Sequence, residues 1–238
     1  MNPSWSACKR LDFELEVGAF VGVGNELGEP VRVKEASDHL FGLVLLNDWS
    51  ARDMQVWEYV PLGPFNAKNF GSSISPWIVT MEALAPFKIA LPEQEPKPLP
   101  YLDEGADHYS YNIELGVQIK TKGSSEPFTV ATSNFKYLHW SVNQQLAHHT
   151  ETGCNLSTGD MLGSGTISGT DKSEFGSMLE LSWGGKNTIE FPNGDKRTFL
   201  EDGDSVIMTG VCKGNGFNVG FGTCEGEILP AHPESRFV

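Results

Sequence analysis

The sequence predicts a mixed, mostly β fold with one or two helices, and three observations carry that expectation. Tyr111 to Ile119 alternates, placing Ile113, Leu115, Val117 and Ile119 on one face, the period of a strand with one side buried. Asn193-Gly194 stands between two short runs, Thr188 to Phe191 and Arg197 to Leu200, and this dipeptide is a strong hairpin-turn signal. Helical periodicity is scarce, and Asn134 to His149 is its clearest instance. There Phe135, Leu138, Val142, Leu146 and His149 recur at spacings of three and four, and Gly153 follows as a stop.

In chain order, Asp12 to Val17 reads as a strand whose Phe13, Leu15 and Val17 face the core. Phe41 to Leu46 is a short apolar strand, and Ser50 to Tyr59 suits a short helix. Pro76 to Met81 is a further strand. Pro92 to Gly105 contains four prolines and several acids and reads as an exposed extended loop inside one domain, since strand signals continue on both sides. Met178 to Trp183 alternates as a strand would. Ser205 to Cys212 and Phe217 to Leu229 close the chain, rich in glycine as expected of bulged, bent strands.

A chain of 238 residues with 39% hydrophobic content is long enough for one large domain with a buried core, and no internal repeat divides it. The net charge of −14 argues against nucleic acid and anionic membrane as partners. It leaves a polyvalent cation open, because hard cations prefer clustered carboxylates. Met1 to Lys9 has no apolar leader region and no run approaches a membrane span. Cys8, Cys154, Cys212 and Cys224 are irregularly spaced, as expected of reduced thiols in a cytoplasmic protein.

Four local features point to chemistry. Glu14 and Glu16, at i and i+2, project together from a strand. The pair is either an acidic face in water or half of a cation site, since two like charges side by side are unfavourable until a cation joins them. Asp48 ends the apolar run before a helix, as a functional carboxylate or as the helix N-cap. Arg52, Gln55 and Tyr59 share one side of that helix, a solvated face or a cradle for an anionic, carbonyl-rich ligand. Lys68-Asn-Phe-Gly-Ser-Ser73 places a lysine and hydroxyls beside a glycine that lets backbone approach a ligand. It lacks the pattern of a nucleotide-phosphate loop.

Taken together and in order, Glu14-x-Glu16, Asp48 and Trp49-Ser-Ala-Arg-Asp53 resemble the fumarylacetoacetate hydrolase family. The resemblance extends through Met54 to Phe65, Asn134-Phe-Lys-Tyr, Gln144 to His149, Gly165-Thr-Ile-Ser-Gly169 and Phe175 to Trp183, and so runs from about Cys8 to Pro230. It implies a β-sandwich roll and a homodimer. It implies that 1–238 is the family's C-terminal catalytic and metal-binding domain, truncated at its N-terminal side. By the same resemblance Glu14, Glu16 and Asp48 are metal ligands for Mg2+ or Ca2+. Lys68, through its backbone oxygen, and Ser72, where the family often has Thr, complete an adjoining cation site. Arg52, Gln55 and Lys68 form an oxyanion site, Tyr59 and Thr166 hold substrate oxygens together with Gln55, and Glu180 orients a catalytic histidine.

The implied reaction is hydrolysis of the carbon–carbon bond of 4-fumarylacetoacetate to fumarate and acetoacetate, the end of tyrosine and phenylalanine breakdown. Two other readings stand beside it: a relative acting on acylpyruvates or oxaloacetate, and a non-catalytic metal-binding or dimerising product. The family's catalytic histidine and a further aspartate ligand lie upstream of Glu-x-Glu. None of His39, His108, His139, His148, His149 and His232 matches that histidine's position. Activity of the chain by itself is therefore expected to be poor, with metal binding weakened and turnover restored by the upstream segment.

Overall fold

The computed structural model describes residues 5–233. Residues 1–4, part of the stretch read as lacking an apolar leader, and 234–238 lie outside it. Two antiparallel sheets face each other across one apolar cluster. The first runs Met161–Gly163, Leu15–Val21, Leu40–Asp48, Ser72–Ile74, with Val79–Thr80 also paired to Leu40–Asp48. The second runs Phe128–Asn134, Glu114–Lys120, Ser205–Lys213, Asn218–Glu227. Ile113, Leu115, Val117 and Ile119 are all buried, as are Phe13, Leu15 and Val17, so both alternations mark the inner faces. Gly210, on the second sheet, packs against Leu45 of the first. A Cβ there would stand 2.8 Å from Leu45 and 3.4 Å from Leu115, and the Ser205–Lys213 strand shifts register at this point.

The hairpin at Asn193-Gly194 forms as expected: Ile189–Glu190 pairs with Lys196–Arg197, and Gly194 takes φ 91°, which a residue with a Cβ rarely adopts. The Pro76 to Met81 strand shrinks to Val79–Thr80 and leads into a single helical turn, α2 (Met81–Leu84). The proline-rich stretch is tied down more than its composition suggests, for Gln94, Leu102 and Glu104 are buried. Gln94 donates to the His139 carbonyl, and Gln144 donates to the Leu102 carbonyl.

Two sequence expectations are corrected. Asn134 to His149 is not one helix. A strand runs through Asn134, a 3-10 turn follows over Phe135–Tyr137, and α3 spans Val142–Thr150. Ser141 accepts from the Gln144 amide while Gln144 reaches back to the Ser141 amide, and this reciprocal cap starts the helix at 142. Met178 to Trp183 is not a strand but the single-turn helix α4 (Met178–Leu181). Its first amides are met by Ser177 and by the carboxylate of Asp12, so acceptors from outside the segment override its alternation.

The Ser50 to Tyr59 helix appears as α1 (Arg52–Leu62), regular as far as Tyr59. Val60 is extended (φ −111°, ψ 123°), as the residue before Pro61 is disposed to be. Of the four α-helical segments among the described residues, only α1 and α3 exceed one turn. All four cysteines are free thiols. Among the described residues no helix is long and apolar enough to cross a membrane.

Candidate metal centre

The first sheet delivers three carboxylates to one place. Glu14 and Glu16 flank Leu15, whose side chain fills the core, and both acids turn to the opposite face. Leu40–Asp48 pairs beside them in the register Glu16↔Leu46 and Leu15↔Asn47, so Asp48 arrives at the same end. One ligand oxygen from each of Glu14, Glu16 and Asp48 lies within 4.8 Å of the others. Asp48 ends its strand and does not cap α1, whose N-cap is Ala51 with no side-chain bond. The N-cap alternative for Asp48 is thereby removed.

Two cations answer these acids. Arg52, buried at the start of α1, donates from Nε to Asp12 at 2.9 Å and from Nη1 to Glu14 at 2.8 Å. The same Nη1 donates to the Gln55 side-chain oxygen at 2.9 Å, leaving the Gln55 amide nitrogen as a donor. Lys68 comes from the loop after α1, which Glu58 organises by accepting from the amides of Phe65, Asn66 and Ala67. Its ammonium bridges Glu14 and Asp48, the latter at 2.8 Å.

Four carboxylates (Asp12, Glu14, Glu16 and Asp48) thus stand against two cations, two negative charges over balance when all are ionised. The electrostatics record that excess. Burial, and then the charges of Glu14 and Asp48, push Glu16 up to about 8. Glu16 has one backbone donor, the Gly165 amide at 2.9 Å. Burial acts on Glu14 too, but the Lys68 hydrogen bond and the Arg52 charge outweigh it and hold that group below its ordinary value. A divalent ion carries the missing charge, and three carboxylates with nearby hydroxyls are the donor set that hard divalent cations take. The residues present therefore fit a hard divalent ion.

Ser72 sits directly opposite Asp48 on the adjacent strand, and paired residues share a face. A cleft of about 470 Å³ opens beside the carboxylates, lined by Glu14, Arg52, Thr166 and Glu180 with Tyr137 and His139 on its wall. Glu180, carried by α4, accepts from the hydroxyls of Ser168 and Ser177, each at 2.8 Å. Among the described residues no histidine bonds it. Tyr59 is further along α1, 49% exposed, and does not line this cleft. The structure thus gathers Glu14, Glu16, Asp48, Arg52, Gln55, Lys68 and Ser72 around one point, with Thr166 and Glu180 across the cleft and Tyr59 apart.

Sequence reasoning passed over Asp12, Ser168 and Ser177, and it set aside His139, which stands on the cleft wall. Ser177-Met-Leu-Glu180 does carry a signal, the Ser-x-x-Glu spacing of a helix cap. Nothing local distinguishes Asp12, whose partners are 40 and 166 residues away.

Residues 2–229 match the family model described as fumarylacetoacetate (FAA) hydrolase C-terminal. The chain is 57% identical to fumarylacetoacetase of Bos taurus over 96% of its own length and 54% of the relative's. It is 56% identical to fumarylacetoacetase of Arabidopsis thaliana over 98% and 55%. The chain spans about half the length of the curated relatives it matches. Among solved structures it resembles a fumarylacetoacetate hydrolase from Exiguobacterium antarcticum, with a TM-score of 0.59, 18% identity and coverage of 94% of this chain and 58% of that one. It also resembles a fumarylpyruvate hydrolase from Pseudomonas aeruginosa in complex with Mn2+ and pyruvate (TM-score 0.55, 17% identity, 95% and 69% coverage). At these identities the structural likeness shows the fold.

Proposed function

Since the chain belongs to the fumarylacetoacetate hydrolase family, we propose that residues 1–238 form the C-terminal, metal-binding catalytic domain of an enzyme that hydrolyses 4-fumarylacetoacetate to fumarate and acetoacetate, the last step of tyrosine and phenylalanine breakdown. The observation that carries this reading is the meeting of Glu14, Glu16 and Asp48 with Arg52 and Lys68 at the edge of a cleft.

In this reading Glu14, Glu16 and Asp48 hold Mg2+ or Ca2+, and the Lys68 backbone oxygen and Ser72 hydroxyl complete an adjoining site. A hard divalent cation there supplies Lewis acidity toward the paired oxygens of a β-diketone. Arg52, the Gln55 amide and the Lys68 ammonium donate to the oxygen that gains charge when water adds to the ketone. Losing one such donor typically costs about 10²–10³ in rate. Lys68 spans Glu14 and Asp48, and its ammonium would be free to donate to substrate were those oxygens engaged by an ion. Thr166, Gln55 and Tyr59 hold carboxylate or carbonyl oxygens of the substrate. Glu180, fixed by two serines, orients the histidine that accepts the proton of water, a residue that lies upstream of Glu-x-Glu in the family.

The same proposal includes a homodimer and a cytoplasmic location. Val56, Trp57, Val60, Leu62 and Phe65, along α1 and the loop beyond it, are all exposed, and apolar side chains of this kind are what another copy covers in a dimer. Four free thiols suit a reducing compartment.

The test is to titrate the chain with Mg2+, Ca2+ and Mn2+ and then follow loss of the diketone absorbance with 4-fumarylacetoacetate, for the chain alone and with the family's upstream segment restored. Binding that disappears in Asp48→Asn, with turnover in the longer form, supports the reading. A chain that binds none of the three ions overturns it.

A further inference from the structure

Asp12 lies behind the cleft, with 0% of its surface exposed. Its Oδ2 accepts from Arg52 Nε and from the Leu179 amide, both at 2.9 Å, and its Oδ1 accepts from the Met178 amide at 2.7 Å. Leu11 and Asp12 also pair with Ala51 and Ser50, so the backbone of Asp12 is laddered to the residues that open α1. A buried carboxylate is costly wherever an apolar side chain would serve. This one joins two parts of the cleft that come from distant stretches of chain. On one side it grips the inner edge of the Arg52 guanidinium, whose outer nitrogen then reaches Glu14 and Gln55. On the other it supplies acceptors to the first amides of α4, the turn that presents Glu180.

We infer that Asp12 is a positioning residue that fixes Arg52 and the Glu180 turn relative to the carboxylate cluster. The inference rests on reading that cluster as a divalent-cation site. Its physical content is a competition. Arg52 is shared between two carboxylates, Asp12 and Glu14. With the Asp12 charge removed, the guanidinium keeps one carboxylate partner, Glu14, and is drawn harder onto the oxygen that a cation requires. Asp12 thus acts on the bound ion through Arg52, from a place where it touches neither ion nor substrate.

Mn2+ titration of the full chain, read by electron paramagnetic resonance of the free ion, tests this in four proteins: wild type, Asp12→Asn, Arg52→Gln and the double variant. Outer partners of metal ligands typically contribute about 10–100-fold in affinity. Asp12→Asn is expected to weaken Mn2+ binding within that range in the wild-type background, and by less than about threefold once Arg52 is Gln. Equal losses in both backgrounds overturn the inference, because the Asp12 charge would then act directly through space. An unchanged affinity in Asp12→Asn overturns it too. If the wild-type chain takes up no Mn2+, the cation reading itself falls and carries the inference with it. Should Asp12→Asn fail to fold, Arg52→Lys keeps the positive charge and gives up the fork between Asp12 and Glu14. It is expected to lose affinity to a similar degree while still melting cooperatively, and wild-type affinity in a folded Arg52→Lys overturns the inference.

Discussion

Glu16→Gln removes a charge from the most crowded point of the carboxylate cluster, and the size of the effect follows from the surroundings of Glu16. Burial, with Glu14 and Asp48 beside it, holds the Glu16 carboxyl at about 8 against an ordinary 4.5. Without a metal ion, the folded chain keeps this proton up to about pH 8, whereas the unfolded chain releases it near 4.5. Between those values the folded state binds more protons, so stability falls as pH rises. At about 1.4 kcal/mol per unit, the interval from pH 5.5 to 8 amounts to a loss of about 3 kcal/mol. Glutamine has no proton to release, so the variant lacks this slope. Urea unfolding in EDTA at pH 5.5, 6.5, 7.5 and 8.5 measures it: wild type should lose about 3 kcal/mol more than Glu16→Gln across the range. Saturating Mg2+ should restore wild type at pH 8 and leave the variant nearly unmoved. Parallel pH profiles for the two proteins in EDTA would refute the argument that crowding at Glu16 is what the cation relieves.

Three further outcomes are expected. Asp204, wholly buried, takes a bidentate bond from Arg197 and also accepts from the Lys122 and Glu201 amides. Asp204→Ala takes the bidentate partner from that guanidinium, leaving it the Lys196 carbonyl and the Glu201 carboxylate at 3.5 Å, and should cost about 3 kcal/mol in urea unfolding, more than Arg197 and Asp204 replaced together by apolar residues. Ser141→Ala removes both the α3 cap and a donor to buried Glu104, and should lower stability by about 1–2 kcal/mol, read as a drop in melting temperature. Burial pushes the Cys8 thiol up to about 12 and those of Cys212 and Cys224 up to about 11, whereas Cys154 is exposed. Iodoacetamide at pH 8, followed by peptide mass mapping, should label Cys154 first.

The parts of this fold that were legible in the sequence are those whose cause is local. A strand with one buried side must alternate, and Ile113 to Ile119 does. A tight hairpin needs a residue that tolerates positive φ, and Gly194 supplies it. Glu14 and Glu16 could be placed on one face from their spacing alone, because the pleat fixes that relation wherever the strand lies. The illegible parts have remote causes. Four residues from Met178 to Leu181 fit either period, and they are helical because the Asp12 carboxylate, far back in the chain, meets their amides. Phe135 and Leu138 fall in phase with α3 without belonging to it, since Ser141 decides where that helix begins. The cluster itself was only half visible. Carboxylates announce themselves as residue types, but the burial that raises Glu16 and the clasp of Arg52 by Asp12 exist only once the strands are assembled.

Under the proposed metal-binding role, the ammonium of Lys68, seated between Glu14 and Asp48, would make loading of the centre an ion exchange. Lys68 is itself a monovalent cation, tethered on a flexible four-carbon stem and seated on two of the three carboxylates. A sodium or potassium ion brings no more charge than the group it must evict, and it faces a competitor that never diffuses away. A divalent ion doubles the charge delivered to the same oxygens, and the displaced ammonium stays within reach of whatever enters next. On the proposed reading, discrimination against abundant monovalent ions would rest on one side chain, and loading the site would free its lysine in the same event.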